Sequence, residues 1–255
     1  MNAKIYDMNG NVEFEIKNGN GKGKDYDDSG EVIFEGEYLN GEKNGQVKEY
    51  YDNGELKFEG EYLNGERNGK GKEYNDYGNL IFEGEYLNGK GIEYEKGELK
   101  FEGEYLNGER NGKGKEYHYN GKLLFEGEYL KGERNGKGKE YYFNGQLKIE
   151  GEYINGKIWN GQGYNLEGKL DLKVKDGNGK GKEYNDYTIL IFEGEYLNGE
   201  RNGKVKEYDD EVKLKFEGEY LNGKRNGRGK EYDDDGKLIF KGEYLNGKKK
   251  KCLIF

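Results

Sequence analysis

Cys252 is the residue of this chain whose setting most resembles a site of covalent chemistry. It follows Lys248-Lys249-Lys250-Lys251 and precedes Leu253-Ile254-Phe255. A cysteine, two aliphatic residues and a closing Phe form the pattern on which a prenyl thioether is made, and Phe at the last place favours the geranylgeranyl chain. One lipid chain holds a membrane weakly, so the four lysines would act as the second signal, each contributing about 1 kcal/mol beside an anionic leaflet. The competing expectation is an apolar tail that covers a sheet edge. Cys252 is the single cysteine, so an intrachain disulfide framework is excluded.

Other patterns for chemistry fail on residue type. The recurring Asn-Gly-x-x-Asn-Gly-Lys-Gly strings lack the Ser or Thr of a phosphate loop, and no helix signal follows them. Asp176-Gly177-Asn178-Gly179 imitates the start of a calcium loop, but Lys180 takes a ligand place and Tyr187 stands where a closing Glu is required. Glu59 and Glu61 recur as a pair in nearly every unit, which is the habit of a solvated strand face rather than of a singular catalytic pair. His118 is the only histidine, which leaves neither a triad nor a metal cluster. No catalytic residue, metal site or cofactor is expected, and the chain reads as a non-enzyme.

The elements that carry these residues come from a repeat. Phe58 to Ile81 reads FEGEYLNGERNGKGKEYNDYGNLI, and the phrase restarts at Phe14, Phe34, Phe58, Phe82, Phe101, Phe125, Ile149, Leu172, Phe192, Phe216 and Phe240. Self-similarity at this period signals an array in which each unit packs on its neighbours. A longer period is superposed, with Phe14 matching Leu172, Phe34 matching Phe192 and Phe82 matching Phe240.

Within a unit, Leu56, Phe58, Gly60 and Tyr62 alternate with Lys57, Glu59, Glu61 and Leu63, which is a strand pattern. Asn64-Gly65 opens a turn and Asn68-Gly69 closes it, so Lys70 to Tyr74 returns as the second strand. That loop places Glu61 opposite Lys72 and Tyr62 opposite Gly71. Tyr77-Gly78-Asn79 is the outer turn. The units from Phe14, Phe82 and Leu172 are shorter, and their deletions are expected in turns. The predicted fold is all-β: an elongated, single-layer antiparallel sheet of successive β-hairpins. Residues 1–13 form a leading half-unit, 14–247 about ten units with the last from Phe240 truncated, and 248–255 a polybasic tail.

Composition agrees. The chain has 46 Gly, 25 Tyr and no Pro, with 37% charged and only 31% hydrophobic residues, too few for a thick two-layer core. A net charge of −9 argues against nucleic acid as a partner. The sequence has no apolar leader, and a cytosolic location is expected.

The phrase F-E-G-E-Y-L-N-G-E-R-N-G-K-G resembles the MORN repeat, an aromatic-x-Gly-x-aromatic-x-x-Gly-x-x-x-Gly-x-Gly pattern. Phe101, Gly103, Tyr105, Gly108, Gly112 and Gly114 fill it in one unit. The resemblance implies a scaffold that binds protein partners, a second copy of itself or a membrane surface. A phosphoinositide-kinase name can attach through the repeat alone, without any kinase domain. The runner-up reading is a direct anionic-phospholipid module using Arg67, Arg110, Arg134, Arg201 and Arg225 as loop cations. A third is a soluble structural array with no anchor. In the unit from Ile149, Lys157-Ile158-Trp159-Asn160 stands where other units have Glu-Arg-Asn, which singles out Ile158 and Trp159. They read either as a partner contact or as a packing wedge at a loop one residue longer than its neighbours.

Overall fold

The computed structural model describes residues 2–6 and 12–250. Among these, only strands and turns occur, and no helix is long and apolar enough to cross a membrane. Two compact units divide the chain, Met1–Gly121 and Lys122–Phe255.

In the first unit the strands are β1 (Ala3–Tyr6), β2 (Val12–Lys17), β3 (Asn20–Tyr26), β4 (Val32–Leu39), β5 (Glu42–Tyr50) and β6 (Leu56–Leu63). They continue as β7 (Glu66–Tyr74), β8 (Leu80–Glu85), β9 (Asn88–Glu95), β10 (Glu98–Leu106) and β11 (Glu109–Tyr117). Each pairs antiparallel with the next, so the sheet is a run of hairpins.

The second unit repeats the plan. Its strands are β12 (Leu123–Leu130), β13 (Glu133–Tyr141), β14 (Leu147–Ile154), β15 (Lys157–Tyr164), β16 (Leu170–Lys175) and β17 (Asn178–Tyr184). After these come β18 (Leu190–Leu197), β19 (Glu200–Tyr208), β20 (Leu214–Leu221), β21 (Lys224–Tyr232), β22 (Leu238–Leu245) and the short β23 (Lys248–Lys249). Successive strands again pair antiparallel.

The core is one face of each sheet. Phe34, Phe58 and Phe101 in the first unit, and Phe125, Phe192 and Phe216 in the second, are at most 1% exposed. Tyrosines meet these rings edge-on. Phe58 lies 5.9 Å from Tyr62 at 67° and 5.3 Å from Tyr86 at 84°. Edge-to-face pairs at such spacings add about 0.5–1.5 kcal/mol each beyond area burial. The rings lie over glycines: a Cβ on Gly71 would come within 2.7 Å of Phe58 and 3.0 Å of Tyr86. Glycine in mid-strand is thus required by the close approach of the rings.

The register corrects one expectation. Glu59, not Glu61, faces Lys72; Gly60 faces Gly71, Glu61 faces Asn68, and Tyr62 faces Arg67. The loop is only Asn64-Gly65, with φ of 50° and 83°. Positive φ at both central places makes the two-residue turn whose twist suits a hairpin. Gly69, at φ 59°, is not the end of the loop but part of a bulge in β7. The expected ring-over-glycine contact exists, with Phe58 and Tyr86 in place of Tyr62.

The deletion in the unit from Phe82 takes the turn, as expected, and the start of the return strand with it. Gly89 faces Tyr105 as Gly45 faces Tyr62, and a Cβ on it would meet Glu85 as one on Gly69 would meet Glu61, so the four missing residues correspond to Asn64-Gly65-Glu66-Arg67. Outer turns fold on their first residue. Asn75 Oδ1 accepts from the N–H groups of Tyr77 at 3.1 Å and Asn79 at 2.9 Å.

Candidate functional site

Because the loop is two residues long, the arginines stand on strands, on the aromatic face. Arg67 stacks on Phe58 at 4.2 Å. Its Nε and Nη2 donate to Oε1 and Oε2 of Glu49 at 3.2 and 2.9 Å, and its Nη1 lies 3.0 Å from Glu73. Tyr62 donates its hydroxyl to the same Glu49, and Tyr86 donates to Glu73 at 2.6 Å. Arg110 repeats this over Phe101 with Glu93, Arg201 over Phe192 with Glu183, and Arg225 over Phe216 with Glu207. Arg134 lies 4.1 Å from Phe125 and 3.0 Å from Glu140. One seat carries a paired exchange: Lys43 over Phe34 with Asp25 at 3.1 Å.

Burial pushes the pKa of Glu49 up, but hydrogen bonds from Arg67 and Tyr62 outweigh it and hold the carboxyl below its ordinary value. Glu93 and Glu207 are held down by the same balance with Arg110 and Arg225. Burial, then the hydrogen bond to Glu49, pushes Tyr62 up to about 12. These arginines are therefore internal mortar rather than free loop cations, which removes the charges on which the phospholipid reading relied. Sequence could have found this: counting back from a two-residue Asn-Gly turn puts each Arg opposite the tyrosine of its unit.

The hairpin turns are stitched to one another. Gly65 N–H donates to Lys43 O at 2.9 Å and Tyr86 N–H to Gly69 O at 2.9 Å in the first unit. In the second, Gly177 donates to Trp159 O, Gly199 to Gly177 O and Gly223 to Arg201 O at 2.8, 2.8 and 2.9 Å.

The opposite face carries charge in rows. Lys48 faces Glu59, Glu59 faces Lys72 and Lys72 faces Glu83. In the second unit Glu193, Lys206, Glu217 and Lys230 alternate in the same way. Open grooves of about 710 Å³ and about 970 Å³ lie along these rows, one in each unit. At the hairpin end of this face stands an aliphatic side chain from every regular unit. Leu39, Leu63 and Leu106 in the first unit and Leu130, Ile154 and Leu221 in the second are each 43–49% exposed. The aliphatic residue that recurs just before the turn, Leu in all of these units but Ile154, was the sequence signal for this row.

Ile158 and Trp159 fall on β15, with Trp159 at a bulge. Ile158 faces Tyr153 in the place of Arg67 and packs on the cluster containing Leu172 and Phe192. Trp159 is half-buried beneath the next turn, where a Cβ on Gly177 would meet it at 2.6 Å. The segment is one residue shorter than its neighbours rather than longer, since Gly151 faces Gly161 where Gly60 faces Gly71. With Ile149 for Phe, Ile158 for Arg and Gly163 for Glu, the row breaks. A cavity of about 450 Å³ opens there, bounded by Lys148, which bridges Glu140 and Asp186 at 2.9 Å each.

Of the basic residues near the end, Lys249 faces Tyr244 in the place of Arg67, 2.5 Å from Glu231 and 4.6 Å from Phe240. Lys250 pairs with Glu243 at 3.0 Å, and Lys248 is exposed. The return strand of the last unit thus begins within the expected tail. Lys251 and Cys252 lie outside the described residues.

The MORN repeat model matches residues 58–78, 101–122, 192–204 and 216–237, and the MORN repeat variant model matches 43–64 and 134–155. No curated protein matches the chain. Two solved structures, "Crystal Structure of TcdB2-TccC3-Cdc42" and "Crystal Structure of TcdB2-TccC3 without hypervariable C-terminal region", share 12% identity with it at TM-scores of 0.20 and 0.21. Each alignment covers 93% of this chain but 15% of the other, and the likeness carries no argument. The repeat matches agree with the hairpins, the ring-over-glycine packing and the Asn-Gly turns: the chain is built with MORN repeats across these six segments.

Proposed function

We propose that this chain is a non-enzymatic MORN-repeat scaffold that holds a protein partner on its Glu–Lys face. One observation carries the reading. Outside the seat over Phe82, the aromatic face pairs its arginines with its own glutamates, whereas the opposite face leaves a row of half-exposed aliphatic residues beside open charged grooves. Ordered apolar rows rimmed by charge are what partner surfaces bury. Leu63→Asp and Leu221→Asp should leave the fold intact and remove the partner; retention of the partner by both variants overturns the reading.

Attachment to a cytosolic membrane face through a prenylated Cys252 is the second element of the proposal. Its support is the Cys252-Leu253-Ile254-Phe255 pattern behind Lys248 to Lys251. Lys249 and Lys250 are engaged by Glu231 and Glu243, so among the described lysines of this stretch the electrostatic share falls mainly to exposed Lys248. Cys252→Ser in the native host should move the protein from the membrane to the soluble fraction. An unmodified intact mass for the wild-type chain removes this element and leaves a soluble scaffold.

A further inference from the structure

The unit from Phe82 keeps the seat of the arginine but not the arginine. Every other Phe that opens a unit has a cation over its ring: Lys24 on Phe14, Lys43 on Phe34, an arginine on five more and Lys249 on Phe240. Among the described residues no cation stands over Phe82. It is half-buried, whereas its equivalents Phe58 and Phe101 are fully buried.

The carboxylates beside it keep the arginine-binding pattern. In the filled seats the glutamate of the preceding strand accepts Nη2 of the arginine on its Oε2, as Glu49 does from Arg67, Glu93 from Arg110 and Glu207 from Arg225. Glu73 is the preceding glutamate for the Phe82 seat. Its two contacts, from Arg67 and from the Tyr86 hydroxyl, both fall on Oε1. Glu93 closes the other side. The rings of Tyr86 and Tyr105 stand edge-on to Phe82 at 5.1 and 5.4 Å and line the walls. Between these groups is a cavity of about 270 Å³.

We infer that this cavity is a receptor for a guanidinium group, that of an arginine side chain presented by a partner polypeptide. The ring of Phe82 offers a cation–π face, and Glu73 Oε2 offers the acceptor that the fork of a guanidinium uses in the other seats. A lysine would fill the ring face but leave the fork unused. The site does not rest on the scaffold reading, because its test uses a small probe.

Titration of the full chain with N-acetyl-arginine amide, followed by amide NMR shifts, tests it. Shifts are expected at Phe82, Gly84 and Tyr86, with none from the citrulline amide, which has the same shape without the charge. Glu73→Gln should weaken binding about tenfold or more, as for loss of one charge-assisted partner. Insertion of Glu-Arg-Asn-Gly between Gly89 and Lys90 restores the array's own arginine and should abolish it while keeping the fold. Equal binding of the citrulline amide, or undiminished binding by the insertion variant, overturns the inference, as does the absence of any shift.

Discussion

Arg67 reaches back across β6 to clasp Glu49 with two nitrogens, at 3.2 and 2.9 Å, although the two residues are 18 apart in sequence. Each such clasp joins three successive strands, because the guanidinium stands over Phe58 on the strand between. Neighbour coupling in this array is therefore carried by a charged pair laid on an aromatic floor, as well as by backbone ladders.

Removing a clasp should loosen its neighbours more than its own strand. Arg67→Ala or Arg201→Ala is expected to cost about 2–4 kcal/mol, the loss on leaving a mostly buried carboxylate unpaired. Arg67→Lys should cost less, since Lys43 fills an equivalent seat beside Asp25. Urea unfolding checks the order, and vesicle binding by these variants equal to that of the wild type would agree with the arginines being internal.

Gly71→Ala is expected to destabilise by about 1–3 kcal/mol through overpacking, because its Cβ would press on Phe58 and Tyr86. Gly54→Ala meets nothing within 4 Å but sits at φ 80°, so it should cost about 1 kcal/mol from backbone strain alone. Thermal melts of the two variants separate the two causes.

The repeat, its strands and the single aromatic face were legible in sequence, because Phe58-x-Gly60-x-Tyr62 alternates with period two. The register was not. Asn68-Gly69 mimics the close of a turn, and only the φ pair at Asn64 and Gly65 shows that the turn is already complete. A shift of the loop end moved Arg67 from a presumed loop to the aromatic face and changed its role from ligand-binding to structural. The cavity at Ile158 is half legible: the substituted residues stand out in sequence, but the loss of glutamate at Gly163 matters equally, and only the register that sets it opposite Ile149 reveals it.

Stability should fall at both ends of the pH scale. Glu49, Glu93 and Glu207 bind protons less tightly folded than unfolded, so their contribution is present above about pH 4.3 and is lost as pH drops through their lowered values. Tyr62 and Tyr220, pushed up to about 12, bind protons more tightly folded. Their contribution is complete below about pH 10 and is lost as pH rises toward 12. Melting temperature against pH should show a plateau between these limits, and ionisation of Tyr62 and Tyr220, followed by site-resolved NMR of their rings, should accompany unfolding.

Trp159 is the single tryptophan and reports the turn above it. Gly177→Ala would push a Cβ against its ring, so emission should shift to the red and acrylamide quenching should rise. Unchanged emission would place Trp159 elsewhere than beneath that turn.

The scaffold claim is tested most directly by photo-crosslinking in the native host. A photoreactive residue at Leu63 or Leu221, on the Glu–Lys face, should capture one and the same polypeptide. The same residue at Asp52 or Asp210, in the outer turns, should not capture it. Capture from the outer turns alone, or of no common polypeptide from the two face positions, would contradict the account.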